Sequence, residues 1–231
     1  MQKFFLSLSL LLIPTNHLFV GGTEPVAEVS TGACELYHET GLSETVNYAA
    51  FLQAITGYSK IKERKKDLLT LIDFTKPSTE KRLYVIDVKN KKLLFTSYVA
   101  HGRNSGGNYA TSFSNQSGSY KSSLGFYLTE SVYQGKNGYS LLLTGLEKNI
   151  NDKARERAIV MHGAPYANPA VIKSSGRLGR SLGCPALPEA VSKPIIDAIK
   201  EGSLLYIYAN SPDYLALSTI LPDLKTDHQK I

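Results

Sequence analysis

Two residues of this sequence have the chemistry of a nucleophile and its base: Cys184 in "GRSLGCPALP" and His162 in "AIVMHG". A thiol attacks only as thiolate, so a catalytic cysteine needs an imidazole, a cation or a helix N-terminus nearby, and some exposure. Cys184 stands shortly before a helix that is predicted to begin near Pro188, and Arg177 and Arg180 precede it in the chain. A cysteine and a histidine brought together form the activated pair used in acyl transfer. The alternative for His162 is a structural hydrogen-bonding role.

The elements that must position these two residues are mostly short β-strands. His162 ends an apolar run and Gly163 follows it, which predicts a strand that carries His162 to its end, where catalytic groups commonly lie. The polar stretch "KNKK" at 89–92 separates two apolar runs and predicts a hairpin. Further strand-like runs occupy 126–129, 140–143, 158–162 and 203–208. Short strands with turn signals between them predict a mainly β fold of the α+β class, built as a sandwich or barrel.

Helical spacing of apolar residues occurs in two parts of the chain. From 34 to about 69 it predicts an N-terminal cap of two or three short helices, with Gly57 as a stop. After the candidate nucleophile, Pro188 suits a first helical position and isoleucines at 195–199 form an apolar stripe. We expect Pro194 to split this segment into two short turns.

The start of the chain has the pattern of an export signal. Lys3 precedes an apolar run from Phe4 to Ile13 that is too short for a membrane span and has the charge order of a signal peptide. No later apolar run approaches about 18 residues, so we expect an exported protein of a bacterial periplasm or cell envelope, without an integral membrane segment and monomeric. The predicted organisation is a signal peptide at 1–22, a helical cap at 23–70, a β-rich domain at 71–210 and a loosely attached tail at 211–231.

Composition and charge narrow the function classes. The 231 residues are 42% hydrophobic and 20% charged with a net charge of +6, which suits one ordinary domain. The densest basic run, at 60–66, is interleaved with Glu63 and predicts a solvated helix face rather than a nucleic-acid site. No H-E-x-x-H pattern or Cys/His cluster occurs, so no metal or other cofactor is expected. A disulfide between Cys34 and Cys184 in an unrelated secreted β-domain stays open as an alternative.

The residues around the pair resemble the catalytic domain of the L,D-transpeptidases, cysteine enzymes that cross-link peptidoglycan. "MHG" at 161–163 and "SLGC" at 181–184 are similar to that family's signature of His-Gly, a spacer and Ser-x-Gly-Cys. The stretches "IDFTKPSTEKRLYVID", "VAHGRNSG", "FSNQSGSYKSSLGFYLT" and "GRSLGCPALP" resemble its murein L,D-transpeptidase branch. The resemblance covers about Leu71 to Tyr208. It therefore implies an L,D-transpeptidase-like catalytic domain over 71–210, which includes a short helix after the cysteine.

The resemblance implies a role for each matching residue. Cys184 would be the nucleophile and His162 its base, while the backbone carbonyl of Gly163 would orient the imidazole. Ser181 and Gly183 would shape the loop, and the N–H groups of Gly183 and Cys184 would donate to the oxyanion.

Two positions depart from the family's usual pattern. Leu182 stands where a second histidine normally precedes the Gly-Cys pair, and Ala186 stands where an arginine or asparagine usually follows. Substrate anchoring is then expected from other groups, because a peptide carboxylate needs a cation to pair with and arginine binds it bidentately. The substrate-binding candidates are His101, Arg103, Arg180 and Tyr166.

The implied reaction acts on peptidoglycan stem peptides. Cys184 would attack the carbonyl of the residue preceding a D-amino acid and form a thioester, which the amine of a neighbouring stem would resolve into a cross-link. With water as acceptor the enzyme would be an L,D-carboxypeptidase. The changed Leu182 and Ala186 positions also leave open a catalytically silent wall-binding module.

Overall fold

An eight-stranded sheet organises the part of the chain that the computed structural model describes, residues 26–222. The strands are β1 Leu68–Asp73, β2 Leu83–Asp87, β3 Lys92–Ser97, β4 Gly125–Gly135, β5 Gly138–Gly145, β6 Val160–Gly163, β7 Ala186–Leu187 and β8 Leu204–Tyr208. Their order in the sheet is β3-β2-β1-β8-β4-β5-β6-β7. The predicted signal peptide at 1–22 lies outside the described residues, as do residues 223–231.

Antiparallel pairing dominates the sheet, and this confirms the mainly β prediction. The predicted hairpin at 89–92 joins β2 and β3, which pair antiparallel. Parallel pairing occurs between β1 and β8 and between β6 and β7. β8 is buried along its whole length because neighbouring strands flank it in the sheet and α-helical residues pack over it, which explains its continuous apolar sequence.

Two isolated bridges bring the ends of the sheet together. The segment after β3 pairs with the segment around β7, through Ala100 with Ala186 and Gly102 with Ser181. The sheet is therefore nearly closed. Its closing seam places residues 100–102 beside the loop that carries Cys184.

The helices come before β1, between β6 and β8, and after β8 in the chain. They are α1 Val26–Glu39, α2 Tyr48–Lys60, α3 Ala170–Ser175, α4 Glu189–Ile199 and α5 Pro212–Leu217, with short 3-10 turns at Leu42–Glu44 and Pro165–Ala167. Within residues 26–222, no helix has both the length and the apolar character that a bilayer crossing requires.

The N-terminal helices share one hydrophobic core with the sheet. Asn47 begins α2, where its side chain accepts a hydrogen bond from Ala49 N at 2.8 Å. The helix continues past the predicted stop at Gly57, because Gly57 is buried against the Phe126 ring: a Cβ there would lie 2.0 Å from the ring. The glycine serves helix–sheet contact rather than helix termination.

The helix after Cys184 is continuous, so the predicted split at Pro194 is wrong. α4 runs from Glu189 to Ile199 with Pro194 inside it. Proline removes one backbone hydrogen bond. Ile195, Ile196 and Ile199 are all buried, and this apolar stripe keeps the helix on β6 and β5.

The C-terminal segment is firmly packed as far as residue 221, so the predicted loose attachment is wrong for this part. Tyr214 in α5 and Ser218 after it both donate hydrogen bonds to the buried carboxylate of Glu147, and Leu221 is fully buried. The local sequence does not reveal these contacts because they depend on a carboxylate far away in the chain.

Candidate active site

β6 and β7 bring the candidate nucleophile and base to one edge of the sheet. The two strands run parallel with His162 opposite Ala186, and Cys184 lies two residues before Ala186. The Cys184 sulfur is 3.5 Å from the backbone N of Val160, two residues before His162 on the same strand. The thiol and the imidazole therefore belong to adjacent segments, and their pairing in catalysis stays a prediction.

The His162 ring is oriented by the backbone. Its Nδ1 lies 2.8 Å from the carbonyl oxygen of Gly163, and since a carbonyl only accepts, Nδ1 carries the proton. In the neutral ring the lone pair is then on Nε2. Burial lowers the pKa of His162, partly offset by this hydrogen bond, so the ring is neutral near pH 7 and able to accept a proton.

The Cys184 thiol is nearly enclosed and faces the backbone. Its side chain is 8% exposed, and the S–H donates to the carbonyl of Ala158 at 3.6 Å. Burial raises the pKa of Cys184, although the Val160 N–H and the charge of Arg157 act in the opposite direction. No hydrogen bond joins Cys184 to His162 among the described residues, and catalytic contacts are often looser before substrate binds.

Backbone strain occurs directly at this contact. Ala158 adopts φ 53°, a left-handed conformation that is uncommon for a residue with a side chain. The strained residue presents its carbonyl to the Cys184 thiol.

Serine hydroxyls hold the loop that carries Cys184. Ser181 Oγ donates to the Cys184 carbonyl at 2.6 Å and accepts from Gly183 N at 3.1 Å. Gly183 has φ 130°, and a Cβ at this position would lie 2.9 Å from the Lys121 carbonyl. Ser181 and Gly183 thus shape the loop, and the Gly183 N–H already has a partner in this state.

Arg157 is a charged neighbour of Cys184 that the sequence does not single out. Its guanidinium donates to the carbonyls of Ser114 at 2.8 Å and Lys121 at 2.6 Å, and to the hydroxyl of Ser123. It contributes the cation that lowers the pKa of Cys184 against the effect of burial. Its position ahead of β6 in "ARERAIVMHG" is the only signal in the sequence, and it does not distinguish Arg157 from Arg155.

Tyr166 lies near the thiol, in the 3-10 turn that follows β6. Burial raises the pKa of Tyr166 to about 12, with the negative charge of a Cys184 thiolate adding to the effect. The phenol therefore keeps its proton and can donate a hydrogen bond, and its role in substrate binding stays a prediction.

His101 is placed differently from the other candidates. The ring is 1% exposed, and its Nδ1 accepts a hydrogen bond from Arg82 Nη2 at 2.8 Å. Burial, with the adjacent Arg82 charge adding, lowers the pKa of His101 to about 4. A neutral, enclosed ring does not fit the predicted pairing with a substrate carboxylate. Its backbone carbonyl instead accepts from Ser181 N at 2.9 Å and supports the Cys184 loop.

Arg82 is the buried hydrogen-bond partner of this histidine. The arginine is fully buried, and burial lowers its pKa to about 9. Its donors bond the carbonyls of Val99 and Lys76, and its guanidinium lies 4.8 Å from the centre of the Phe74 ring. This cation therefore organises the closing seam of the sheet.

The two candidate arginines lie at the surface of the same seam. Arg103 is exposed, with its guanidinium 4.2 Å from the centre of the Tyr120 ring. Arg180 Nη1 donates to the carbonyls of Arg103 and Gly106 at 3.0 and 2.9 Å. Arg103 has the freer guanidinium, and both stay predictions for substrate binding.

The two positions that depart from the family pattern have different surroundings. Leu182 is 57% exposed within the loop, whereas Ala186 is fully buried in β7. Ala186 packs in a small cluster with Ala100, Ala164 and Ala167. The Ala186 methyl is fully enclosed by these small side chains, whereas Leu182 faces solvent.

Both cysteines are free in the structure, Cys34 exposed in α1 and Cys184 buried. The alternative of a disulfide-linked domain is therefore wrong. Cys184 carries a free but nearly enclosed thiol.

The comparison with protein families identifies the class of this chain. A model of the L,D-transpeptidase catalytic domain matches residues 42–208. The chain therefore belongs to that family, which confirms the resemblance in its sequence. No protein with a curated description matches the chain.

Solved structures that the chain resembles have low sequence identity to it. An L,D-transpeptidase from Mycobacterium smegmatis is 13% identical with a TM-score of 0.40, over 62% of this chain and 59% of that chain. L,D-transpeptidase 3 from Mycobacterium tuberculosis is 14% identical with a TM-score of 0.40, over 62% and 61%. The helical cell shape determining protein Pgp2 from Campylobacter jejuni is 14% identical with a TM-score of 0.43, over 69% and 56%. In each case the match spans less than two thirds of the other chain.

Proposed function

We propose that this protein is an exported cysteine L,D-transpeptidase that acts on peptidoglycan stem peptides. One observation carries the proposal: His162 has its Nδ1 on the Gly163 carbonyl, which leaves Nε2 as a base, on the strand whose backbone contacts the Cys184 sulfur. Membership of the L,D-transpeptidase catalytic domain family supports the substrate class.

The first half of the reaction forms a thioester. Nε2 of His162 takes the thiol proton as the Cys184 sulfur attacks the carbonyl of the residue before a D-amino acid. The Cys184 N–H donates to the resulting oxyanion. The imidazolium then gives its proton to the nitrogen of the D-residue, which leaves as the C–N bond breaks.

The second half transfers the acyl group. The amine of a neighbouring stem attacks the thioester and loses a proton to His162, and the C–S bond breaks as sulfur recovers that proton. One peptide bond is broken and one is formed, so no cofactor or energy source is required. With water in place of the amine, the same steps make the enzyme an L,D-carboxypeptidase.

The remaining features of the proposal follow from this substrate. Peptidoglycan lies outside the cytoplasmic membrane, and the apolar leader at 1–22 supports export to the periplasm or cell envelope. Arg103 and Arg180, exposed or half-buried beside the Cys184 loop, are proposed to pair with stem carboxylates, and Tyr166 to donate to the bound peptide. We propose that the protein acts as a monomer.

The test is covalent labelling of the purified protein by a carbapenem, followed by peptide mapping in a mass spectrometer. We expect an adduct on Cys184 and none on Cys34, which is exposed and free and serves as an internal control in the same chain. Cys184→Ala should abolish the adduct, and His162→Gln should slow its formation by about 100-fold or more. An adduct on Cys34 alone, or none at all, would refute the proposal and favour the silent wall-binding module.

The acceptor is identified with a synthetic stem tetrapeptide that ends in a D-residue, with and without an added amine. A new amide product shows transpeptidation, and release of the D-residue alone shows carboxypeptidation. Cys184→Ala must remove either product. An unchanged rate in that variant contradicts the mechanism.

A further inference from the structure

The peptide unit between Gly183 and Cys184 is held from outside the Cys184 loop. The carbonyl of Gly183 accepts a hydrogen bond from Ser122 Oγ at 3.1 Å. A trans peptide is planar, with its C=O and N–H on opposite sides, so fixing the carbonyl of Gly183 also fixes the direction of the Cys184 N–H. That N–H donates to no other described residue, whereas the Gly183 N–H is taken by Ser181 Oγ. The Cys184 N–H faces only its own sulfur, so it is the donor of the loop that no other described residue occupies.

The orientation of the Ser122 hydroxyl is fully determined. Its oxygen accepts a hydrogen bond from Gly102 N at 3.0 Å, and the Gly183 carbonyl can only accept, so the hydroxyl proton must point to Gly183. Ser122 is 1% exposed, which keeps water from replacing either bond. Its backbone N–H is fixed in turn by Ser105 Oγ at 2.9 Å.

The contact between Ser122 and Gly183 joins parts of the chain that are far apart in sequence. Ser122 and Gly183 are 61 residues apart, and Gly102 belongs to the closing seam of the sheet. One hydroxyl thus connects three segments at the nucleophile. Without it, a buried N–H and a buried carbonyl would both lose their partner.

We infer that Ser122 is a positioning residue for acyl transfer: its hydroxyl aims the Cys184 N–H at the oxyanion. This inference rests on the proposed function, since it concerns the same acylation. Losing an oxyanion donor outright costs about 100- to 1000-fold in rate, so a donor that is present but misaligned is expected to cost about 10- to 100-fold.

The test compares two reactions of the same sulfur. Acylation by a carbapenem builds an oxyanion, whereas alkylation by iodoacetamide does not and reports only the availability of the thiolate. Both rate constants are measured at Cys184 by peptide mapping. We expect Ser122→Ala to lower the ratio of acylation to alkylation by about 10- to 100-fold, mainly through the acylation rate. A ratio within threefold of wild type in the folded variant overturns the inference.

Matched variants separate positioning from simple destabilisation. Ser203→Ala removes another buried hydroxyl, which bonds the Ile199 carbonyl and lies in the segment leading to β8, and it should leave the ratio unchanged. Ser122→Thr and Ser122→Val have the same shape and differ only in the hydroxyl, so the threonine variant should keep a higher ratio than the valine variant. This pair decides the question if Ser122→Ala does not fold, and equal ratios in the pair overturn the inference.

The behaviour of the wild-type protein distinguishes a failure of the proposed function from a failure of the inference about Ser122. If iodoacetamide labels Cys184 but a carbapenem does not, the proposed function fails and the inference fails with it. If wild type is acylated and Ser122→Ala keeps its ratio, only the inference fails.

Discussion

At the scale of single residues, the surroundings of Cys184 and His162 favour the neutral form of both. Burial raises the pKa of the thiol and lowers the pKa of the imidazole. A preformed thiolate–imidazolium pair requires the opposite shifts. The resting site is therefore best described as a thiol beside a neutral base, with proton transfer during attack.

This description predicts the pH profile of alkylation. The rate of iodoacetamide labelling at Cys184 should rise with pH to a midpoint above about 8.5, the ordinary value for a free thiol. Mass spectrometry measures the labelling rate at both cysteines, and exposed Cys34 serves as the reference thiol. A midpoint below pH 7 would instead show a preformed ion pair.

Arg157 offers a second prediction at this scale. Arg157→Gln should move the alkylation midpoint of Cys184 upward by about 0.5 to 1 pH unit, because the nearby cation stabilises the thiolate. Arg157→Lys keeps the charge and should retain most of the wild-type midpoint. The control is Arg155→Gln, which removes an equal charge from a surface pair with Glu130. Equal shifts in the 155 and 157 variants would show a general charge effect only.

At the scale of elements, a two-residue strand and a short loop position the nucleophile. β7 is long enough only to set the register against β6, and hydrogen bonds with His101, Arg103 and Ser122 fix the loop before it. Glycine is required where the loop meets its neighbours: Gly183 combines φ 130° with close contact to Lys121 and Ile159. The loop geometry thus depends on the absence of a side chain.

Gly183→Ala tests this dependence. The added methyl would lie 2.9 Å from both Ile159 Cδ1 and the Lys121 carbonyl, so the loop must shift. We expect acylation at Cys184 to fall by about 100-fold or more, since a displacement of about 1 Å has an effect of that size. Gly176→Ala is the control: it has φ 68° but no atom within 4 Å of the added methyl. It should cost about 1 kcal/mol of stability and leave acylation unchanged.

At the scale of the whole molecule, the C-terminal segment is tied into the sheet by a buried carboxylate. Glu147 is 1% exposed and accepts hydrogen bonds from Phe126 N, Tyr214 and Ser218. Burial raises the pKa of Glu147, although these hydrogen bonds act against the rise. The contact connects α5, the start of β4 and the turn after β5.

Glu147 gives stability a predictable pH dependence. A carboxyl with a raised pKa in the folded protein favours folding below its unfolded value of 4.5, and this contribution is lost as pH rises through the folded pKa. Glu147→Gln stays neutral, so its free energy of unfolding relative to wild type should increase from pH 4 to pH 7. Urea unfolding at several pH values measures this difference in the free energy of unfolding. Buried His101 and His162 are present in both proteins, so their contribution to the pH dependence cancels in the difference. Glu156→Gln, at an exposed position, should show no such trend.

Much of the fold was predictable because its signals are local. The hairpin around 89–92, the strand that ends at His162 and the helix after Pro188 follow from runs of apolar residues and turn residues. The sequence-based predictions were wrong where a contact between distant parts of the chain gave a residue a different structural role. Gly57 faces a phenyl ring instead of ending its helix, and Pro194 is tolerated under a buried apolar stripe.

The sequence by itself determined the family and predicted Cys184 and His162 as the reacting pair, because a signature of residue types at given spacings lies along the chain. Only the tertiary structure decided how that pair is surrounded. Arg157 beside the thiol, Ser122 on the Gly183 carbonyl and the enclosure of His101 by Arg82 join segments far apart in the chain. Burial and hydrogen bonding set protonation and donor direction, and both quantities exist only once those distant segments have been packed together.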